Sequence, residues 1–383
     1  MQELREMIEM LKIPNEINIK TLTEHVPDFL HHAHCSGIVA FDDGELLATW
    51  YHAITEANHN QQIYLSRKKA NSEEWTKPVT MPDQSKTRFD GNPVLWIAPD
   101  TKKLWMFYNV GYGWSVCWAK CRTSDDRGET WTKPRNGYPF ISRGVKNPPI
   151  LTSKGWYVLP AYVEFKYLRG VFFISKNQGK SWKQSEKVDL HPDLIYEGYE
   201  DRKGRQVEQP TVIERKDGSL LALCRNDGRP IRKALKTESF DGGFHWTPAV
   251  ESNLPNPAGG FHMMRLSSGD IATIYNHAPA PDNDRKWRNP LSIAISEDDC
   301  VSWKYRRNIV EWHPDDENDD GNRRTFEYPT LTQGADGTIH ITWSYSHPEN
   351  IDGKDYRFTD IQYTSVTEKW VKQKQYFENS WEL

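Results

Sequence analysis

Six stretches of the chain share one pattern: an extended apolar run, a tight polar turn and a second apolar run. They are SGIVAFDDGELLATW (36–50), PVLWIAPDTKKLWMFY (93–108), PPILTSKGWYVLPAY (148–162), PTVIERKDGSLLALCR (210–225), MMRLSSGDIATIYN (263–276) and PTLTQGADGTIHITWSY (329–345). Most of the turns carry Asp-Gly, Ser-Gly or Lys-Gly, which predicts β-hairpins. IQYTSVTEKW (361–370) sits where the outer strands of the last unit belong. Residues 2–12 differ. Leu4, Met7, Ile8 and Leu11 fall at helical spacing and predict a short amphipathic helix packed outside the main domain.

Between the hairpins a second pattern recurs: a polar turn that ends on tryptophan. SDDRGETW spans Ser124–Trp131, SKNQGKSW Ser175–Trp182, SFDGGFHW Ser239–Trp246 and SEDDCVSW Ser296–Trp303, with a looser SRKKANSEEW at Ser66–Trp75. The Asp or Asn caps backbone N–H groups of its own turn, and the glycine supplies a positive φ. The tryptophan is large enough to wedge between neighbouring sheets. These tryptophans lie roughly 50 to 65 residues apart, a period that marks propeller blades. The expected architecture is all-β: a six-bladed β-propeller over residues 31–383, preceded by a helix and lead-in over residues 1–30. A seventh blade is expected if residues 13–35 and the tail build an extra sheet.

Composition narrows the partners. The formal net charge of −4 on 383 residues argues against a general nucleic-acid binder. No run approaches 18 consecutive apolar residues, and the N-terminus has no signal-type apolar core, so a cytoplasmic protein without a membrane span is expected. Cys35, Cys117, Cys121, Cys224 and Cys300 are odd in number and lack CxxC spacing, which reads as free, mostly buried thiols. The acidic run Asp315–Asn322 lacks the EF-hand pattern and reads as a solvated loop, and no HExxH occurs, so neither metal nor cofactor is called for. The oligomeric state is not set by the sequence.

In a propeller the residues just before each inner hairpin converge on one mouth of the axis. Here they are His34, Arg88 to Asn92, Lys146 with Asn147, Glu208 with Gln209, Asn256 with His262, and Glu327 with Tyr328. Hairpin ends and connecting loops add Glu56, Trp114, Glu164, Arg225 and Arg288. Such a collection serves either a ligand or the capping of a channel mouth. Arg225 closes the apolar run LLALC and needs a partner, either a ligand anion or Glu208. Trp114 offers a face for a sugar or for core packing.

The turns and hairpins together resemble the sialidase (neuraminidase) superfamily of Asp-box propellers, and within it the "predicted neuraminidase" branch with the BNR-repeat-like domain. The resemblance runs from about His34 to the C-terminal strands and is carried by HCSGIV at His34, NPVLW at Asn92, EQPTVIERKDGSLLALCR from Glu208, LPNPAGG from Leu254 and EYPTL from Glu327. It implies an enzyme with three arginines for the substrate carboxylate, a tyrosine nucleophile activated by a glutamate, and an aspartate acid/base. Tyr328 matches the nucleophile, Glu208 the activating glutamate, Arg225 the second arginine and Arg288 the third. His34-Cys35 stands in the place of the first arginine. The loop after Trp50 offers Glu56, Asn58 and Asn60 and no aspartate, so Glu56 is the candidate acid.

Three functions follow. One is an exo-acting, sialidase-like glycosidase on the non-reducing end of an acidic oligosaccharide, sialic or uronic. Another, implied by resemblance to rhamnosyl-glucuronate lyases of similar fold, uses His34 as base, Arg225 and Arg288 on the carboxylate and Tyr328 as proton donor. The last is a non-catalytic propeller that binds a glycan or a protein. For each, Arg88, Asn92, Trp114, Lys146, Glu164, Gln209 and Asn256 are candidate substrate contacts.

Overall fold

A computed structural model describes residues 17–23, 32–141, 143–165, 167–197, 206–226, 231–278, 288–312 and 324–373. The expected helix at 2–12 and the acidic run 315–322 lie outside them. The regular structure of the described residues is almost entirely strand. The six hairpins form where the apolar runs predict them, for example Glu208–Glu214 with Leu220–Arg225 and Thr325–Gln333 with Ile339–Ile351.

Hydrogen bonding groups the strands into five sheets, not six or seven separate ones. Four are propeller-blade-like sheets of four or five antiparallel strands. The fifth has eight strands and joins the two ends of the described chain. In it, His32–Ala40 meets Lys354–Val366 in parallel at one register pair, His32 with Thr359. That bridge merges units that the local pattern separates. The tail also departs from expectation. Extended structure stops at Val366, and Glu368–Lys372 is a short helix whose N-cap, Thr367, accepts from the backbone N of Trp370 at 3.1 Å.

The core lies between sheets. Val39, Leu47 and Ile63 pack against Leu95 and Met106, and Trp96 and Phe107 against Tyr157 and Leu159. Phe172 and Val158 meet Val212 and Leu220, Leu221 meets Ile271, and Ile274 meets Ile341 and Trp343. Ile38 and Trp50 then meet Ile361, which closes the ring. Each such fully buried side chain contributes about 1.5–3 kcal/mol of transfer free energy.

The tryptophan turns fold as their residues require. Ser124 Oγ accepts from Gly128 N at 2.7 Å, Asp126 Oδ1 accepts from Thr130 N at 2.9 Å, and Trp131 Nε1 donates to Gly128 O at 3.0 Å. Gly128 has φ +90°, and in the weaker copy Cys300 takes φ 69° in its place. All five cysteines are unpaired and buried.

At the axis, side chains tie one inner strand to the next. Asn147 Nδ2 donates to Pro210 O at 3.0 Å, Thr211 Oγ1 to Met263 O at 3.2 Å, and Leu331 N to His262 Nδ1 at 3.3 Å. These bonds fix how the strand starts face one another, and the site is built there.

Candidate active site

Four inner strands carry the same irregularity at the same end. Their pairing slips between His34 and Gly37, Gly91 and Val94, Glu208 and Thr211, and Glu327 and Thr330. Within each slip one residue is left-handed: Cys35 at φ 55°, Asn92 at 47°, Gln209 at 44° and Tyr328 at 48°. Three of these precede proline, Pro93, Pro210 and Pro329, where the following ring normally drives the backbone to extended conformations. Bulges of this kind re-aim side chains, and left-handed non-glycine residues cost on the order of 1–3 kcal/mol. Their clustering at one mouth of the axis marks a site that the surrounding structure holds in place.

Tyr328 is its centre. Its phenol oxygen accepts from Arg225 Nη1 at 2.7 Å and from Gln209 Nε2 at 3.1 Å. The Arg288 guanidinium carbon lies 5.5 Å from the ring centroid, and that of Arg225 5.9 Å. The His34 imidazole meets the ring edge-on at 4.5 Å. Burial raises the Tyr328 pKa, against the opposing pull of Arg225 and Arg288. With two donors on the oxygen, the phenol's own proton is left to be passed outward.

The charges around it are paired. Arg288 Nη1 binds Glu327 Oε2 at 2.5 Å, while its Nη2 donates to Ala258 O at 2.8 Å. Burial, the largest single influence, would raise the Glu327 carboxyl, but Arg288, His34, the Thr325 hydroxyl and His32 together outweigh it and hold the group at about 2. Glu208 is the register partner of Arg225, and its Oε2 lies 3.8 Å from Arg225 Nη1. Both of the phenol's hydrogen bonds among the described residues come from Arg225 and Gln209, so Glu208 acts on Tyr328 through the arginine rather than by contact.

His34 Nε2 is 4.0 Å from Glu327 Oε2, and its Nδ1 is buried without a hydrogen-bond partner. Burial, reinforced by His32, pushes this imidazole down to about 3, so it is neutral near pH 7. Arg288 Nε is likewise buried and unpartnered. Such orphaned polar atoms flank Tyr328, and buried polar groups normally find partners.

The remaining expected residues divide. Gln209 belongs to the cluster. Glu56 lies on the adjoining loop and is exposed, with Oε1 accepting from Tyr51 OH at 3.3 Å. Lys146 is buried at the axis, its ammonium 6.0 Å from the Tyr328 ring centroid and bound to Pro329 O at 2.7 Å; burial lowers its pKa to about 8. Asn256 Nδ2 donates to Gly259 O at 2.9 Å and shapes the loop before Phe261. Asn92 occupies the second bulge. Trp114 packs on Phe89, with ring centroids 4.8 Å apart, and Arg88 is partly buried beside Asp90. Glu164 borders Cys117 and Tyr162. None of these last four contacts Tyr328.

Two residues join the site without having been singled out. His32 stacks on His34 with centroids 5.1 Å apart, and Tyr51 meets His34 edge-on at 5.7 Å. Both were recoverable in principle. His32 and His34 share a strand face by two-residue periodicity, and Tyr51 is the hairpin partner of His34.

Comparison with known proteins bears on this geometry. The BNR repeat-like domain family matches residues 44–341. No curated protein matches. Among solved structures, a Hadza microbial sialidase superposes with a TM-score of 0.70 at 16% identity, covering 92% of this chain and 69% of its own. An intramolecular trans-sialidase from Ruminococcus gnavus, solved with oseltamivir carboxylate, gives 0.67 at 14% identity, covering 94% and 99%. A protein of unknown function from Dyadobacter fermentans gives 0.65 at 14%, covering 91% and 99%. At these identities the likeness is one of fold.

Proposed function

The chain belongs to the BNR repeat-like family of the sialidase superfamily, and from that premise we propose that it is a carbohydrate-active enzyme that cleaves an acidic sugar from the non-reducing end of a glycan. The observation that carries this reading is the Arg225–Tyr328 bond at 2.7 Å, with Arg288 beside the same ring. Two guanidinium groups on one phenol suit a sugar whose carboxylate sits over the ring.

In the glycosidase scheme Tyr328 Oη attacks the anomeric carbon while Glu56 protonates the departing glycosidic oxygen. The phenol passes its proton to solvent water as it attacks and takes one back when it is released, and Arg225 and Gln209 stabilise the intervening phenolate because both donate to that oxygen. Water then attacks the same carbon, Glu56 takes the water's proton, and the tyrosine is released. Arg225 and Arg288 hold the carboxylate throughout.

A second reading is favoured by a specific observation: among the described residues no carboxylate hydrogen-bonds the phenol, whereas a neutral imidazole with an unpartnered Nδ1 lies against its ring. His34 then removes the proton alpha to a uronate carboxylate, Arg225 and Arg288 stabilise the enediolate, and Tyr328 protonates the leaving oxygen. A fluorogenic sialoside and a rhamnose–glucuronate glycan separate the two. Dye release supports the hydrolase, and ultraviolet absorbance of an unsaturated uronate supports the lyase. Silence in both with retained glycan binding leaves a binding propeller.

A further inference from the structure

We infer that Lys146 is a positioning residue for Tyr328, clamping the backbone bulge from which the phenol projects. This rests on the reading that Tyr328 reacts. An ammonium has three N–H donors. Those of Lys146 meet Pro329 O at 2.7 Å, Asn147 Oδ1 at 3.2 Å and Phe261 O at 3.3 Å. No donor is left for a substrate, which sets Lys146 apart from the two arginines. Its acceptors lie on separate segments that meet at the axis, and the shortest bond falls on the carbonyl directly after Tyr328.

That carbonyl is where a clamp is needed. Tyr328 is left-handed and precedes proline, a backbone state held only by its surroundings. Two residues further along, His262 Nδ1 accepts from Leu331 N at 3.3 Å, so the segment that follows Tyr328 is held at two successive points. Space allows little else. A Cβ added at Gly260 would stand 3.2 Å from Tyr328 Cδ1 and 3.3 Å from Lys146 Cε. The bulge at Asn92 has nearly the same φ, 47°, but no ammonium bonds its proline carbonyl among the described residues. The lysine therefore belongs to the tyrosine-bearing bulge and not to bulges in general.

Lys146→Met removes charge and donors, while Lys146→Gln keeps two donors. On whichever acidic substrate is turned over, Lys146→Met is expected to lower kcat at least about tenfold with KM within roughly threefold, and Lys146→Gln to recover part of the loss. A folded variant with wild-type kcat, or one that raises KM alone, overturns the inference. Hydrogen exchange decides the matter without turnover. The amides of Tyr328 and Thr330 should exchange at least about tenfold faster in Lys146→Gln, and unchanged exchange there refutes the clamp. If neither variant folds, the wild-type protein still decides: Tyr328 and Thr330 must exchange more slowly than Asn92 and Val94. Absence of activity on every acidic glycan, with the exchange result intact, removes the functional reading and leaves the clamp.

Discussion

Arg225 and Tyr328, 103 residues apart in the chain, are joined by a 2.7 Å hydrogen bond from guanidinium Nη1 to phenol oxygen. The bond requires the end of one inner hairpin, at Arg225, to face the bulged strand start that carries Tyr328. Tyr328→Phe deletes the acceptor and the reacting oxygen together. Turnover should fall by roughly 10³-fold or more, because nucleophile and proton donor are lost in either scheme. Arg225 and Gln209 lose a partner, so stability should drop by about 1–3 kcal/mol. Steady-state kinetics and denaturant unfolding check both, and a rate within tenfold of wild type would remove Tyr328 from the chemistry.

Arg225→Lys keeps the charge but loses the rigid, planar guanidinium whose Nη1 donates to both the phenol and Gln209 Oε1. The expected loss in kcat/KM is roughly 10²-fold. A rise in KM alone would assign Arg225 to uniform substrate binding rather than to the transition state.

Acid should destabilise the protein in a defined window. His34 and His262 are both pushed down to about 3, chiefly by burial, whereas unfolded histidine titrates near 6.5. Between those values the unfolded chain binds more protons, so stability falls as pH drops through the window. Glu327, held at about 2 by Arg288, His34, the Thr325 hydroxyl and His32 together despite its burial, adds to the loss below its unfolded value near 4.5. Asp90, raised to about 6 by burial, works in the opposite direction. Thermal unfolding at pH 7 and pH 4 should show a lower Tm at pH 4, and His34→Gln should lose less over the same interval. An equal loss in that variant contradicts the assignment.

Gly128→Ala tests the turn motif separately from the site. A Cβ there would lie 3.0 Å from Leu47 Cδ2 and 3.1 Å from Trp131 Cζ2, at a φ of +90°. Unfolding measurements should show a loss of roughly 1–3 kcal/mol, with kcat unchanged, because the turn contributes no side chain around Tyr328.

The hairpins and tryptophan turns were legible in the sequence because both are local. A serine hydroxyl four residues before a left-handed glycine makes the same bond wherever it occurs. The sheet count was not legible, since the His32–Thr359 bridge joins strands more than 300 residues apart. The site was legible in part. Counting strand starts found His34 and Tyr328, and the hairpin ends and connecting loops gave Arg225 and Arg288. Neither found His32 or Tyr51, which are reached from His34 only by following the strand alternation and the hairpin pairing one step further. The bulge at Gln209 turns the amide toward the phenol and leaves Glu208 opposite Arg225, where residue matching alone placed the glutamate on the tyrosine.

The most direct test is a crystal structure of the Tyr328→Phe protein with an acidic saccharide. A sugar carboxylate within hydrogen-bonding distance of Arg225 and Arg288, with the anomeric or alpha carbon facing position 328, is the predicted result. A saccharide bound elsewhere, or one whose carboxylate points away from both arginines, would contradict the account.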